Sequence, residues 1–156
     1  MADKTNAIRL IQQAKLVYRE IFYEFDDNDS IGLHAAKTVG LPVEQVFKTL
    51  VTRGDRNGIQ VFCIPACCEL DLKKAAKVSN NKKLELVAVK DLLDLTGYIR
   101  GGCSPIGMKK RYPTYIDETC TLWDEISVCA GARGHLVILN PQQLASFINA
   151  KVADLT

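Results

Sequence analysis

Several residue types and motifs are scarce or missing in this chain of 156 residues, and each absence argues against a class of protein. Its two histidines, His34 and His135, lie far apart, and its cysteines do not follow a Cys-x-x-Cys spacing, so no metal site is predicted. No run approaches the about 20 apolar residues that span a bilayer, and the N-terminus lacks a signal-peptide core. We expect a cytoplasmic protein with no metal, no cofactor and no membrane partner.

Motifs for common nucleotide and hydrolase sites are also missing. The chain has neither the Gly-Lys-Ser/Thr ending of a phosphate-binding loop nor the Gly-x-Gly-x-x-Gly spacing of a dinucleotide fold. Ser104 is not surrounded by Gly-x-Ser-x-Gly, so a nucleophilic serine paired with His135 is not predicted. The formal charge of +2 is nearly balanced, so nucleic-acid binding would need local clusters of Lys and Arg.

The residues that are abundant predict one compact domain over residues 1–156, because 47% of them are hydrophobic and can bury a core. The six cysteines lie mostly in apolar, strand-like runs, where a reduced thiol behaves as a small hydrophobic side chain. We therefore interpret them as reduced core residues: Cys63, Cys67, Cys68, Cys103, Cys120 and Cys129.

Hydrophobic periodicity predicts helices and strands without a regular βαβ rhythm. Helices are expected over residues 3–15, 31–39, 70–78, 87–96 and 142–152. Strands are expected over residues 17–25, 47–52, 59–64, 114–117, 126–130 and 135–139. Asn57-Gly58 is a hairpin signal, Gly97 is placed to end a helix, and Asn140-Pro141 to begin one. The pattern favours an α+β fold with a mainly antiparallel sheet or partial barrel.

A glycine-rich loop, residues 97–107, follows the predicted helix 87–96. Glycine lets a ligand approach the main chain closely, so backbone N–H groups in this loop can bind a small oxygen-bearing substrate. The alternative is a purely structural turn in which Pro105 fixes the backbone.

Lys48 stands alone in an apolar run, where a charge is costly unless it faces a cleft or a partner. It is therefore a candidate site residue. The alternative is a lysine on the solvent face of an edge strand, which protects a sheet against aggregation.

Basic residues recur in three clusters that would bind a phosphodiester backbone if they shared one side of the fold. The alternative is three separate solvated faces. The clusters are Lys73, Lys74 and Lys77; Lys82 and Lys83; and Lys109, Lys110 and Arg111.

Five ordered segments together resemble the YbaK family of aminoacyl-tRNA deacylases: residues 46–50, 69–74, 96–107, 109–111 and 150–154. These proteins are free-standing relatives of the editing domain of bacterial prolyl-tRNA synthetases. The resemblance implies a six- or seven-stranded barrel-like sheet with peripheral helices. It also implies removal of a wrong amino acid from mischarged tRNA, most often cysteine from tRNA(Pro), with prolyl-tRNA synthetase as a candidate partner and no cofactor.

The resemblance also assigns roles to particular residues. Lys48, Gly101 and Gly102 are the expected catalytic residues, with the two glycine amides stabilising an oxyanion. The expected substrate-binding residues are Tyr23, Ile31, Thr49, Cys103, Ser104 and Pro105. The expected tRNA contacts are Lys73, Lys74, Lys109, Lys110, Arg111 and Arg133.

The mechanism proposed for the cysteine-specific branch of the family uses the substrate's own thiol as nucleophile. The protein then needs to hold the reacting atoms together and does not need a triad. The chain departs from the family pattern at Ile31, Cys103, Ala132 and Leu136, where relatives favour an aromatic, an aliphatic, a lysine and an acidic residue.

Three other functions stay open at this point. An alanyl-tRNA(Pro) deacylase would use water as nucleophile. A non-catalytic module would bind tRNA or a synthetase. A thiol-based redox protein would use Cys63, Cys67, Cys68 or Cys103, and would show one rapidly reacting thiol of low pKa.

Overall fold

The fold is known from a computed structural model that describes residues 4–25, 36–37 and 40–156. Within these residues lie four α-helices and eight β-strands. The helices are α1 Asn6–Gln13, α2 Leu72–Val78, α3 Val89–Thr96 and α4 Pro141–Phe147. The strands are β1 Tyr18–Phe22, β2 Phe47–Gly54, β3 Gly58–Pro65, β4 Leu84–Leu86, β5 Thr114–Asp117, β6 Ile126–Ala132, β7 His135–Leu139 and β8 Lys151–Ala153.

The strands form two sheets. The first has the order β1-β7-β6 and is antiparallel throughout. The second has the order β4-β2-β3-β5-β8, in which β4, β2 and β3 pair antiparallel while β5 joins β3 and β8 in parallel. A single parallel bridge between Val46 and Ser127 links the two sheets beside the start of β2.

Local sequence explains where several elements begin and end. Thr5 begins α1 by accepting a hydrogen bond from the Ile8 N–H, and Asn140 begins α4 by accepting from two N–H groups of its first turn. Gly97 ends α3 with a φ of 86°, a left-handed conformation that glycine adopts at little cost. Gly58, with a φ of 80°, completes the turn of the β2–β3 hairpin.

The largest core cluster lies between α1, the three-stranded sheet and the inner face of β3 and β5. Ile8, Val128 and Leu139 are almost fully buried there. A second cluster joins α2 to the outer face of the other sheet through Phe62, Ala75 and Leu155, the residue before the last one of the chain. Each face of β3 is therefore covered, which agrees with its continuous apolar sequence.

The α+β class and the mainly antiparallel pairing are confirmed, and the paired strands have the predicted centres. The prediction of one helix over 142–152 is wrong, because α4 ends at Phe147 and Lys151–Ala153 pairs with β5. The short strands β4 and β8 were not predicted. Most of the predicted helix 31–39 lies outside the described residues. Among the described helices, none has the length and apolar character that crossing a bilayer requires.

Candidate functional site

A cavity of about 370 Å³ lies between β2 and the three-stranded sheet, with the glycine-rich loop and the β4–α3 segment as its other walls. The described residues that line it are Tyr23, Val46, Phe47, Lys48, Thr49, Leu50, Val51, Leu86, Val87, Val89, Leu92, Arg100, Gly101, Cys103, Cys129 and Leu136. The cavity thus combines residues from separate parts of the sequence.

Strand β2 brings Lys48 and Thr49 to this cavity, and both are partly exposed, whereas Phe47 between Val46 and Lys48 is buried. The Thr49 hydroxyl lies 3.8 Å from the buried Cys63 thiol on β3. β4 covers β2 only from Thr52 to Gly54, so the Lys48 end of β2 borders the cavity. Of the two alternatives that the sequence leaves open for Lys48, a cleft and the solvent face of an edge strand, this position favours the cleft.

The glycine-rich loop reaches the cavity through Arg100, Gly101 and Cys103. Gly101 has a φ of 84°, which a residue with a side chain adopts at a cost. The Gly102 N–H donates to the Ile99 carbonyl at 2.9 Å, so this amide stabilises the loop itself. No acceptor for the Gly101 N–H occurs in the part of the chain that the structure describes. An amide donor for a substrate is therefore expected at Gly101 and not at Gly102.

Gly102 has a different physical role, since the loop packs there against the β6–β7 turn. A Cβ at Gly102 would lie 3.1 Å from the Arg133 backbone nitrogen and 3.2 Å from the Ala132 carbonyl carbon. Both are main-chain atoms, which cannot rotate away as a side chain can. Gly102 thus permits the close approach that sets the position of Gly101.

The loop residues Ser104 and Pro105 lie away from this cavity. Ser104 is fully buried, and its hydroxyl accepts a hydrogen bond from the Ile106 N–H at 3.1 Å. Pro105 lines a second cavity of about 270 Å³ with Lys110 and Arg111. The loop therefore separates two cavities, and of the predicted substrate-binding residues in it only Cys103 lines the one beside Lys48.

The three-stranded sheet contributes Cys129, Leu136 and the residue that follows β1, Tyr23. The Tyr23 N–H donates to the Gly134 carbonyl at 2.9 Å, which fixes Tyr23 to the β6–β7 turn. Its hydroxyl has a pKa above the ordinary value because it is desolvated, and the nearby Cys129 adds to the effect. Tyr23 is therefore neutral at physiological pH.

The two thiols on the cavity wall are protonated. Burial raises the pKa of Cys103 to about 12, with a further contribution from Cys129, and burial also raises the pKa of Cys129. The Cys129 thiol lies 3.5 Å from the Ala132 carbonyl oxygen. Protonated thiols are poor nucleophiles, so these residues form an apolar wall and the redox hypothesis loses Cys103 as its reactive group.

Charge in the cavity is of one sign. Lys48 and Arg100 are the charged residues in its described lining, and no carboxylate or histidine occurs in that lining. The Arg133 side chain stacks on Phe25 and donates through Nε to the Arg100 carbonyl at 2.9 Å, which holds this end of the loop. The described wall therefore suits a developing negative charge and supplies neither a carboxylate nor an imidazole as a general base.

The predicted tRNA contacts are spread over three regions, one of which is Arg133 in the β6–β7 turn. Lys109, Lys110 and Arg111 are exposed directly after the glycine-rich loop. Lys73 is exposed on α2, whereas Lys74 donates to the Asp154 carboxylate at 2.9 Å and to the Thr156 carbonyl at 2.8 Å. Ile31, predicted to bind substrate, lies outside the described residues.

Sequence reasoning missed the wall formed by β4 and α3. Leu86, Val89 and Leu92 line the cavity, but the sequence around them reads as an ordinary amphipathic helix start. Arg100 lies within the glycine-rich loop, where the sequence assigns it no role, and its position next to Gly101-Gly102 is the signal that would have found it.

Comparison with known proteins relates the chain to a family. The model of the aminoacyl-tRNA editing domain matches residues 31–147. A protein of Enterococcus faecalis (strain ATCC 700802 / V583) named as a Cys-tRNA(Pro)/Cys-tRNA(Cys) deacylase, EbsC, is 45% identical over 99% of this chain and 94% of its own length. A solved structure described as a trans-editing enzyme for prolyl tRNA synthetase is 28% identical, with a TM-score of 0.81 over 99% of both chains. The hypothetical protein APE2540 shares the fold, with a TM-score of 0.87 at 20% identity over 97% of this chain and 99% of its own.

Proposed function

Because the chain belongs to the aminoacyl-tRNA editing domain family, we propose that it removes cysteine from mischarged tRNA(Pro) in trans, with Cys-tRNA(Cys) as a second substrate. Family membership establishes that the chain is an aminoacyl-tRNA deacylase. The identity of the amino acid and of the tRNA is what we propose. The name of the 45% identical relative supports both choices.

One observation carries the proposal for cysteine: the described wall of the cavity has two cations and neither a carboxylate nor an imidazole that could act as a general base. Such a wall can stabilise charge but cannot activate water through a carboxylate or imidazole. A substrate that brings its own nucleophile needs only the first of these two functions. Cysteine, with a thiol two bonds from its α-carbon, is such a substrate.

The proposed reaction begins with attack of the substrate thiol on its own ester carbonyl carbon. A carbon–sulfur bond forms, the ester carbon–oxygen bond breaks, and the thiol proton passes to the departing ribose oxygen. The products are free tRNA and a four-membered thiolactone, which water opens to cysteine. The protein contributes by holding thiol and carbonyl together, which supplies the entropic part of the acceleration.

Lys48 and Gly101 have separate proposed roles in this step. The Gly101 N–H donates to the oxyanion that forms on the carbonyl oxygen. The Lys48 ammonium neutralises the phosphate next to the terminal ribose or orients that ribose. Tyr23, Thr49, Cys103 and Leu136 surround the small uncharged side chain of the amino acid.

The tRNA body is proposed to bind through its phosphates, which would make affinity fall as salt rises. Lys109, Lys110 and Arg111 are the favoured contacts because they are exposed and follow the glycine-rich loop directly. Prolyl-tRNA synthetase, which produces the mischarged tRNA in the cytoplasm, is the proposed source of the substrate.

The test is single-turnover deacylation of Cys-tRNA(Pro), Ser-tRNA(Pro) and Ala-tRNA(Pro) by the full chain. Serine differs from cysteine chiefly in its nucleophilic atom, so it separates chemistry from size. We expect cysteine to be released at least 100-fold faster than serine or alanine, since neither of the latter carries a thiol.

Two outcomes would overturn the proposal. Comparable release of alanine would indicate a water nucleophile and an alanyl-tRNA(Pro) deacylase. No release of any of the three, with tight binding of tRNA, would indicate a non-catalytic binding module.

A further inference from the structure

Exposed apolar side chains line one side of the cavity mouth. Leu86 at the end of β4 and Val89 at the start of α3 both line the cavity, yet they are 57% and 62% exposed. Leu93, one helical turn after Val89, is 51% exposed and extends the same apolar face. These three residues are called the apolar rim below. Single exposed apolar residues need no explanation, but a contiguous rim beside a binding cavity does.

The rim is fixed relative to the strand that carries Lys48. Leu86 pairs with Thr52 on β2, and the Val87 N–H donates to the Val51 carbonyl at 3.0 Å. Leu92, on the inner side of α3, packs into the cluster that contains Val51. The rim is therefore a preformed surface, and a ligand that binds there pays little to order it.

A cation accompanies this rim at the mouth. Arg100 is exposed and lines the same cavity, and its carbonyl is held by the Arg133 side chain at 2.9 Å. The mouth thus offers an apolar surface and a guanidinium group. A ligand with a flat apolar ring and a phosphate would match both of them.

We propose that the apolar rim and Arg100 bind the terminal adenosine of the tRNA, with the adenine ring on Leu86 and Val89 and its 5′-phosphate on Arg100. Of the two roles given above for Lys48, orientation of the ribose is the one that goes with this arrangement. The inference rests on the proposed function. An aminoacyl group inside the cavity is joined by its ester to the ribose of that nucleoside, so the ribose has to lie at the mouth. The adenine is then the nearest apolar group of the substrate to the rim.

The experiment measures binding of two non-hydrolysable probes by calorimetry. The first is the 3′-serylamide of 3′-amino-3′-deoxyadenosine 5′-phosphate, and the second is the same serylamide on ribose 5-phosphate without adenine. We expect the wild type to bind the adenine probe about tenfold more tightly, because the adenine face covers apolar surface of Leu86 and Val89 that is otherwise in contact with water. The double variant Leu86→Ser/Val89→Ser is expected to bind both probes equally.

The matched control is Leu122→Ser, which removes a leucine that is 77% exposed and does not line the cavity. This variant should keep the tenfold preference. Because Leu86 and Val89 are more than half exposed, the double variant should keep the wild-type circular dichroism spectrum and melting temperature. The 5′-phosphate of the first probe should raise its affinity for the wild type above that of the dephosphorylated probe. This gain should be smaller in Arg100→Gln.

The outcomes for this inference and for the proposed function are distinct. Equal affinity of the wild type for the two probes would overturn the adenosine site even if Cys-tRNA is deacylated. So would a preference for the adenine probe that persists in the double variant. A preference that is lost only in the double variant would support the site even if no deacylation occurs.

Discussion

Lys48 places an ammonium group at the wall of a cavity whose other described lining is largely apolar. Its replacement by alanine removes one of the two cations there, while β2 keeps its pairing with β3 along the whole strand. We predict that Lys48→Ala slows single-turnover deacylation of Cys-tRNA(Pro) about 100-fold, the usual effect of losing one charge-stabilising group. Circular dichroism and thermal unfolding should match the wild type.

Lys151→Ala is the matched control, because Lys151 is an exposed lysine on the strand at the opposite edge of the same sheet. It removes the same charge without touching the cavity. Equal rates of deacylation in the two variants would refute a specific role for Lys48. The effect of Lys48→Ala would then come from the change in net charge alone.

The cavity thiols make a prediction about pH. With its pKa raised to about 12 by burial, Cys103 is ionised in about one molecule in ten thousand at pH 8, and the thiolate is the reactive form. We predict that alkylation of Cys103 by iodoacetamide, resolved by mass spectrometry, is slow at pH 8. Its rate should rise about tenfold per pH unit to pH 10 without a plateau. The exposed Cys67 provides the internal comparison.

Rapid labelling of Cys103 with a plateau below pH 8 would contradict this prediction. It would also restore the thiol-redox hypothesis. The same result would require a low-pKa thiolate on the cavity wall, which the present burial of Cys103 opposes.

The glycine-rich loop and the β6–β7 hairpin act as one assembly, because their main chains touch at Gly102. Alanine at this position would press its Cβ against the backbone of Ala132 and Arg133, so the loop has to move and carry Gly101 with it. We predict that Gly102→Ala lowers kcat/KM for Cys-tRNA(Pro) at least tenfold, since small displacements of positioning groups are costly. Single-turnover rates and affinity for uncharged tRNA separate this effect from lost binding.

Gly58→Ala provides the comparison for that loop variant. Gly58 has a φ of 80° in the β2–β3 turn, but a Cβ there would meet no atom within 4 Å. Alanine should therefore cost about 1–2 kcal/mol of unfolding free energy from backbone strain alone and leave activity unchanged. Equal loss of activity in the two variants would show that general destabilisation, and not loop position, lowers the rate.

Elements with strong local signals were predictable from the sequence. The Asn57-Gly58 turn and the Asn140-Pro141 helix start depend on neighbouring residues, and both occur where predicted. The helix predicted over 142–152 wrongly includes the first two residues of the strand Lys151–Ala153, because this strand has three residues and its pairing with β5 is a tertiary contact. The three-residue strand β4 is not predicted by the sequence for the same reason.

The candidate site was predictable only where a residue was unusual for its surroundings. Lys48 in an apolar run and the Gly101-Gly102 pair stand out in the sequence, and the structure brings Lys48 and Gly101 to one cavity. Leu86 and Val89 are ordinary apolar residues whose exposure is visible only after the chain has folded. A resemblance to a family added roles for residues, but it did not indicate this rim.

At the scale of the whole molecule, the C-terminal segment packs with α2 on the outer face of the five-stranded sheet. Leu155 is fully buried against the α2 cluster, its N–H donates to the Asp117 carboxylate at 2.9 Å, and its carbonyl accepts from the Asp71 N–H at 2.8 Å. We predict that Leu155→Ala lowers the free energy of unfolding by about 2–5 kcal/mol, as other buried leucines do. Urea titration monitored by tryptophan fluorescence measures the loss.

Val152→Ala serves as the control at this end of the chain, since Val152 is 41% exposed on β8, three residues before Leu155. Its cost should stay below about 1 kcal/mol. A small cost for Leu155→Ala as well would show that the C-terminal segment contributes little to the core. Deacylation by folded Leu155→Ala should equal that of the wild type, because Leu155 does not line the cavity.

The cavity lies between two sheets that are joined by the Val46–Ser127 bridge. A molecule bound there contacts β2 on one side and Cys129 and Leu136 on the other. It therefore acts as a noncovalent cross-link between the sheets, and its binding free energy is added to the work of separating them. The amide protons of both sheets would then exchange with solvent as one cooperative unit in the occupied protein, although each sheet opens more independently when the cavity is empty.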